Sequence, residues 1–200
     1  MDLFKFDNTL NILPYDGVVN YFGAIIDEEI SRQYFNRLLE SITWKNDELI
    51  LYGKRITTKR KIAWYGDASY RYSYSNTTKQ ALPWTRELLE LKDIVEDKVK
   101  LRFNSCLANL YHDGNEGVAW HSDDEYSLDS QASIASFTFG AARKFSFKHK
   151  LSKETVSLKL EAGSLLIMKG ETQNYWLHSL PKTTKVNEPR INLTFRVMKS

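Results

Sequence analysis

Along the first hundred residues the apolar positions fall at two helical spacings with a strand-like stretch between them. After Asp27, a side chain suited to capping a helix start, the run EEISRQYFNRLLESI carries Ile30, Phe35, Leu38 and Ile42 roughly along one face. The run PWTRELLELKDIVEDKV puts Leu88, Leu91 and Val95 on one stripe, with Pro83 tolerated near its start. Between them, ELILYGKRITTKRKIAWYG is dense in β-branched and aromatic residues and predicts a hairpin. Beyond residue 101 the pattern changes. FNSCLANLY, ASIASFTFG, RKFSFKHK, TVSLKL, GSLLIMKG and RINLTFRV are short strand-like runs divided by turn residues. Many strands of that length predict a sandwich or barrel with the helices packed outside it. The expectation is an α+β fold, one domain over 1–200. Its first part, 1–100, holds the N-terminal helices and the hairpin, and 101–200 form a β-rich core.

Composition narrows this only in part. The 200 residues are 42% apolar, which suits a globular core, and no stretch has the roughly eighteen unbroken apolar residues of a membrane helix. The N-terminus, MDLFKFDNTL, lacks the basic-then-apolar design of a signal peptide. A single cysteine, Cys106, forbids an internal disulfide and fits a reducing, intracellular compartment: the cytoplasm, or the nucleus in a eukaryote. Nothing suggests an oligomeric helix or a large apolar surface, so a monomer is expected. With 28 basic and 25 acidic side chains the net charge is +3, too small to name a partner. Its distribution says more. GKRITTKRK (53–61) has five cations and no acid, which reads either as a solvated hairpin edge or as a phosphate-contacting ribbon.

Candidate chemistry enters at GVAWHSDDEYSL (117–128). His121 and Asp123 lie two apart, so on an extended segment both side chains face the same way. A distant third ligand would complete a two-histidine, one-carboxylate face of the kind that suits non-haem Fe(II); His112, His149 and His178 are all candidates for it. A second signal is PRINLTFRV (189–197). As a strand it sets Arg190, Asn192, Thr194 and Arg196 on one face and Ile191, Leu193, Phe195 and Val197 on the other. Two arginines pointing into a barrel require an anion, and a dicarboxylate matches an arginine fork. In LANLY, Asn109 and Tyr111 likewise share a face. A metal face together with a carboxylate cradle points to an Fe(II) enzyme that uses 2-oxoglutarate.

The ordered set NLYHDGNEGVAWHSDDE, IASFTFGAARKFSFKHK, GSLLIMKG, NYWLHSLPK and PRINLTFR resembles the AlkB family of Fe(II)/2-oxoglutarate-dependent dioxygenases, over about Leu49 to Val197. The resemblance implies a double-stranded β-helix (jelly-roll) core, with iron held by His121, Asp123 and His178. It implies a 2-oxoglutarate pocket lined by Asn109, Tyr111, Arg190, Asn192, Thr194 and Arg196, with Arg190 on the far carboxylate and Arg196 nearer the iron. The activity implied is oxidation of an N-methyl group on a nucleic-acid base by O2, with formaldehyde, succinate and CO2 released. Such a base is cationic and must be flipped from its stack, so Asp124 and Glu125 are expected to attract it. Alignment on YGD puts Tyr72 and Tyr74 where the homologue 2 and 3 branch carries base-contacting aromatics. The hairpin matches homologue 2 in spacing: Tyr52, Gly53 and Lys54 would form the tip that fills the gap left by the flipped base, and Lys59, Arg60 and Lys61 would contact phosphates. The expected partner is alkylated DNA, single-stranded or duplex, with RNA or a protein substrate as alternatives. A nucleic-acid-binding module without catalysis is the alternative from outside enzymology.

Overall fold

The computed structural model describes residues 10–51, 54–74, 77–129 and 132–199, with the side chains of 49–55 and 71–79 left aside. In chain order the elements are β1 (Val18–Ala24), α1 (Glu28–Ser41), β2 (Lys45–Leu51), β3 (Lys54–Gly66), β4 (Arg71–Tyr74), β5 (Thr77–Gln80), α2 (Arg86–Val99), β6 (Ser105–Tyr111), β7 (Val118–His121), β8 (Ile134–Gly140), β9 (Arg143–His149), β10 (Thr155–Leu160), β11 (Ser164–Lys169), α3 (Thr172–Tyr175), β12 (Trp176–Leu180) and β13 (Arg190–Arg196). A seven-stranded sheet in the order β1-β11-β8-β13-β6-β3-β2 is accompanied by a four-stranded sheet in the order β10-β9-β12-β7, with β4 and β5 as a separate ribbon. The pairings are antiparallel, as a jelly roll requires.

Period-two alternation sorts the large sheet into two faces. Ala135, Phe137 and Phe139 of β8, Ile191, Leu193 and Phe195 of β13, and Cys106, Ala108 and Leu110 of β6 pack into one cluster with Leu38, Ile42, Leu88, Leu91 and Val95 of the helical layer. The intervening residues turn the other way, toward the four-stranded sheet. There Leu166 and Met168 of β11 meet Phe145, Phe147, Trp176 and Leu180 in a second cluster. The central strands are therefore covered on both sides, which explains why β13 is buried along nearly its whole length although alternate residues are polar.

The helices follow their sequence signals. Asp27 caps α1 by accepting from the Ile30 backbone N–H at 2.8 Å. Thr85 caps α2, so Pro83 stands just outside the helix. Ile30 departs from its expected stripe: it is 40% exposed, and Ser31 is buried instead. The division at residue 100 does not mark a boundary in the sheets, since β1 pairs with β11 and β3 with β6. β1, and the short β7 and β12, are too brief or too mixed in composition for alternation to announce them. No helix among the described residues is long and apolar enough to cross a membrane.

Candidate active site

The four-stranded sheet brings two histidines face to face. In the β7–β12 pair His121 stands opposite His178, their ring centroids 4.2 Å apart. Nδ1 of His121 lies 2.8 Å from the Ala119 carbonyl, which can only accept, so Nδ1 donates there and Nε2 is the ring atom on the side of Asp123, 3.9 Å from its Oδ1. Asp123 follows two residues later, and one ligand atom from each of His121, Asp123 and His178 lies within 4.8 Å of the others. The other two histidines are engaged elsewhere. His112 meets Glu116 at 3.0 Å, and His149 is buried against the rings of Tyr15 and Trp176 with Asp16 at 3.3 Å.

The protonation states suit a divalent ion. Burial alone would raise the Asp123 carboxyl, but the Arg196 guanidinium and the two imidazoles outweigh it and hold the group below the usual carboxylate range. Burial, aided by His121, pushes His178 down to about 3, so its imidazole is neutral and available as a donor. The site thus offers two imidazole nitrogens and one ionised oxygen, a donor set that fits Fe(II). Gln173, from the short α3, accepts from the Asp123 backbone N–H at 2.8 Å and fixes the loop that carries the carboxylate.

Behind this trio the polar residues of β6 and β13 line one pocket: Asn109 and Tyr111, then Arg190, Asn192, Thr194 and Arg196. Arg196 Nη2 reaches Asp123 Oδ2 at 2.8 Å, placing it at the end next to the donor trio. Arg190 is 2% exposed. Its Nη2 donates to Asn192 Oδ1 at 2.7 Å and Thr138 Oγ1 at 3.0 Å, and its guanidinium lies 5.5 Å from the Tyr111 ring centroid. Nε of Arg190 is buried without a hydrogen-bond partner among the described residues, and none of their ion pairs supplies it with a carboxylate. Burial and the nearby Arg143 push it down to about 10. A buried cation with spare donors fits a carboxylate ligand such as that of 2-oxoglutarate.

Asn192 is oriented by its neighbours. Its oxygen accepts from Ser136, Thr138 and Arg190, so its amide nitrogen is left to donate to Thr194 Oγ1 at 3.1 Å. Close to Arg190, the buried Arg143 donates to the carbonyls of Asp113, Gly114, Glu116 and Pro181. These bonds clamp the loop after β6 against the loop after β12. Gly114 packs there so closely on the Thr183 and Val186 carbonyls that a Cβ would collide with both. Neither Gln173 nor Arg143 carries a motif that would have singled it out. Cys106 is buried and its thiol is pushed up by burial, so it offers neither nucleophile nor ligand.

Asp123 and Arg196 also border a second, acid-rich cleft formed with Asp124, Glu125, Tyr126 and Asp129. Asp124 is exposed: it accepts from Ser122 Oγ at 3.0 Å and has Lys150 Nζ at 3.9 Å. Glu125 is half-buried on the cleft wall.

The basic hairpin requires a correction. Arg60 does not face outward for phosphates. Its side chain is 17% exposed and lines the pocket, where it pairs with Asp47 and donates to Asn109 Oδ1 at 3.1 Å. Lys59 is exposed and Lys61 half-buried, opposite Leu110 in the β3–β6 ladder. The run of cations is thus split by strand alternation, and its middle member turns inward. Tyr52 and Gly53 lie outside the described residues, as do the side chains of Lys54, Tyr72 and Tyr74. The backbone of the last two forms β4, with Tyr72 opposite Lys79 and Tyr74 opposite Thr77.

Residues 18–196 match the family model described as the 2OG-Fe(II) oxygenase superfamily. The chain is 39% identical over 184 residues to alkB homolog 3 of Bos taurus, covering 88% of this chain and 64% of that protein. It is 38% identical over 183 residues to the DNA oxidative demethylase ALKBH2 of Mus musculus, covering 88% of this chain and 76% of the relative. It therefore spans less than two thirds of the homolog 3 protein. The solved structure of OsALKBH1 superposes with a TM-score of 0.66 at 17% identity, over 92% of this chain and 99% of that one, a likeness of fold. With a jelly roll, a two-histidine, one-carboxylate cluster and this degree of likeness, the chain belongs to the 2OG-Fe(II) oxygenase superfamily and, within it, to the AlkB homologues.

Proposed function

We propose that the protein is an Fe(II)- and 2-oxoglutarate-dependent dioxygenase that removes N-methyl groups from bases in DNA. The observation that carries this reading is the meeting of three donor atoms within 4.8 Å in the same pocket as a buried arginine that lacks an acid. His121, Asp123 and His178 would hold the metal. Bound Fe(II), with 2-oxoglutarate and O2, supplies the oxidant, and the co-substrate leaves as succinate and CO2.

The remaining work falls to the side chains. Arg190 would grip the far carboxylate of 2-oxoglutarate, aided by Asn192 and Thr194. Arg196 braces Asp123 so that the carboxylate keeps one orientation. Tyr111 and Asn109 offer a phenol and an amide to the same ligand. The acid-rich cleft opens beside the donor trio and suits a cationic methylated base, with Asp124 and Glu125 as its attracting charges. A methyl hydroxylated there would depart as formaldehyde and leave the repaired base. Tyr72 and Tyr74 are proposed as walls for the flipped base, and Tyr52, Gly53 and Lys54 as the tip that enters the duplex. Lys59 and Lys61 remain candidates for phosphate contacts, with Arg60 withdrawn from that role.

DNA as substrate is supported by the likeness to the ALKBH2 relatives, which are named as DNA oxidative demethylases. The direct test is mass spectrometry of a single-stranded and a duplex oligonucleotide, each carrying one 1-methyladenine, incubated with protein, Fe(II), ascorbate and air. Loss of one methyl mass only in the presence of 2-oxoglutarate is expected; loss without it, or none on either strand form, would sink the reading. Tyr52→Ala should slow repair in the duplex more than in the single strand, and equal slowing would remove the proposed tip.

A further inference from the structure

Arg60 raises a question that the metal site does not answer: what is a third arginine doing in the pocket? Its partner Asp47 is itself only 10% exposed at the side chain, and stands where the β2–β3 register slips. Asn46 pairs with Lys61 and Glu48 with Thr57, so the stretch between them leaves the regular ladder. Such a slip re-aims side chains that strict alternation would have fixed. Here it lets an acid from β2 and a cation from β3 meet beneath the sheet.

The charges of the pocket then divide cleanly. Asp123 answers Arg196 and Asp47 answers Arg60, whereas Arg190 has no acid. A neutralised Arg60 is poorly suited to grip a carboxylate but well suited to orient its neighbours. It donates to Asn109 Oδ1 at 3.1 Å. With its oxygen occupied, the Asn109 amide presents N–H to the pocket. The amide becomes a donor toward an anion. Without Arg60 it could turn its oxygen inward and repel it.

We propose that Asp47 is a positioning residue for the co-substrate pocket: by holding Arg60 it sets the Asn109 amide as a donor to 2-oxoglutarate. This rests on the dioxygenase reading, and the experiment separates the two. Fe(II)-loaded protein is titrated anaerobically with 2-oxoglutarate, following the charge-transfer absorbance, while affinity for an oligonucleotide is read by fluorescence anisotropy and folding by thermal melting. Asp47→Asn should weaken 2-oxoglutarate binding by about tenfold, the worth of one charge-assisted hydrogen bond. Arg60→Met should weaken it similarly, and the double variant should be no worse than Arg60→Met alone, as expected of two residues acting through one contact. Asp47→Glu should recover much of the affinity, and the KM for 2-oxoglutarate should rise in Asp47→Asn. DNA affinity should stay within about twofold of wild type, since no phosphate contact is lost.

No absorbance change in the wild type would sink the dioxygenase reading itself. A normal wild-type titration with Asp47→Asn binding equally well would overturn this inference alone. Loss of DNA affinity in Arg60→Met at unchanged 2-oxoglutarate affinity would restore the phosphate role. A weakening that Asp47→Glu fails to recover, accompanied by a lowered melting temperature, would make Asp47 merely structural and overturn the proposal as well.

Discussion

Two buried charge clusters in this protein differ in what they leave unmet. At the end of α2, Glu96 is buried and every side of its carboxylate is answered: the Phe103 backbone N–H donates at 2.7 Å, Arg102 Nη1 at 2.6 Å, and Lys92 Nζ lies at 3.0 Å. On the other face of the sheet, Arg190 is equally buried, with an unmatched Nε and no carboxylate among the described residues. The first cluster is closed and belongs to the fold. The second is open, and Arg190 lines a cavity that also holds the donor trio. Burial of charge therefore says little by itself; what separates a strut from a binding site is the capacity left over after the protein's own groups are counted.

The most severe way to break the open cluster is Asp123→Ala. Turnover should vanish while affinity for a methylated oligonucleotide stays close to wild type, checked by demethylation assay and anisotropy on the same preparations. Retained turnover would remove the proposed metal face. Arg190→Met comes next. Affinity for 2-oxoglutarate should drop by about a hundredfold or more, because a desolvated carboxylate loses its counter-charge. In the absence of 2-oxoglutarate the melting temperature should hold or rise, since the variant discards a buried cation that the fold only partly satisfies. A marked loss of stability would mean that Arg190, too, is a strut.

The closed cluster should respond the other way. Glu96→Ala should cost about 2–3 kcal/mol of stability, because it strands the buried Phe103 N–H and the Lys92 ammonium. The KM for 2-oxoglutarate should not move. Burial favours the neutral Glu96, yet the Phe103 N–H, Arg102 and Lys92 outweigh it and hold the carboxyl below its ordinary value. A carboxyl depressed in the folded state stabilises at pH above its unfolded value, and that contribution fades as the pH falls through the folded one. Denaturant melts of the wild type should therefore steepen their pH dependence below the usual carboxylate range, and Glu96→Ala should flatten it.

The two clusters also differ in how far the sequence disclosed them. The alternation in PRINLTFRV assigns Arg190, Asn192, Thr194 and Arg196 to one face, and all four line the pocket because β13 is a regular, central strand. Spacing alone leaves His112, His149 and His178 equivalent as partners for His121. The β7–β12 pairing that selects His178 joins residues 57 positions apart through two strands too short to signal themselves. In the basic run strand alternation turns Arg60 inward between Lys59 and Lys61, a period that a cluster of like charges masks, and the register slip that lets Asp47 meet it leaves no mark in composition. The short strands made a sandwich or barrel legible, and the AlkB resemblance narrowed it to a jelly roll. That the first hundred residues supply β1, β2 and β3 to its larger sheet was not, since sheet membership depends on long-range pairing.

The smallest effect tests the closed cluster at its rim. Arg102 makes the 2.6 Å contact with Glu96, yet its side chain is 86% exposed, whereas that of Lys92, on the same carboxylate, is 15% exposed. Distance alone would rank Arg102 as the stronger partner. Exposure reverses that ranking, because water screens an outward guanidinium and replaces its hydrogen bond once it is gone. Arg102→Ala should shift the melting temperature by less than about 2 °C, and Lys92→Ala by clearly more. If Arg102 instead proved the costlier loss, the Glu96 carboxylate would depend on its exposed partner. The closed cluster would then be less complete than its contacts imply, and its contrast with Arg190 would narrow to the difference in ligand.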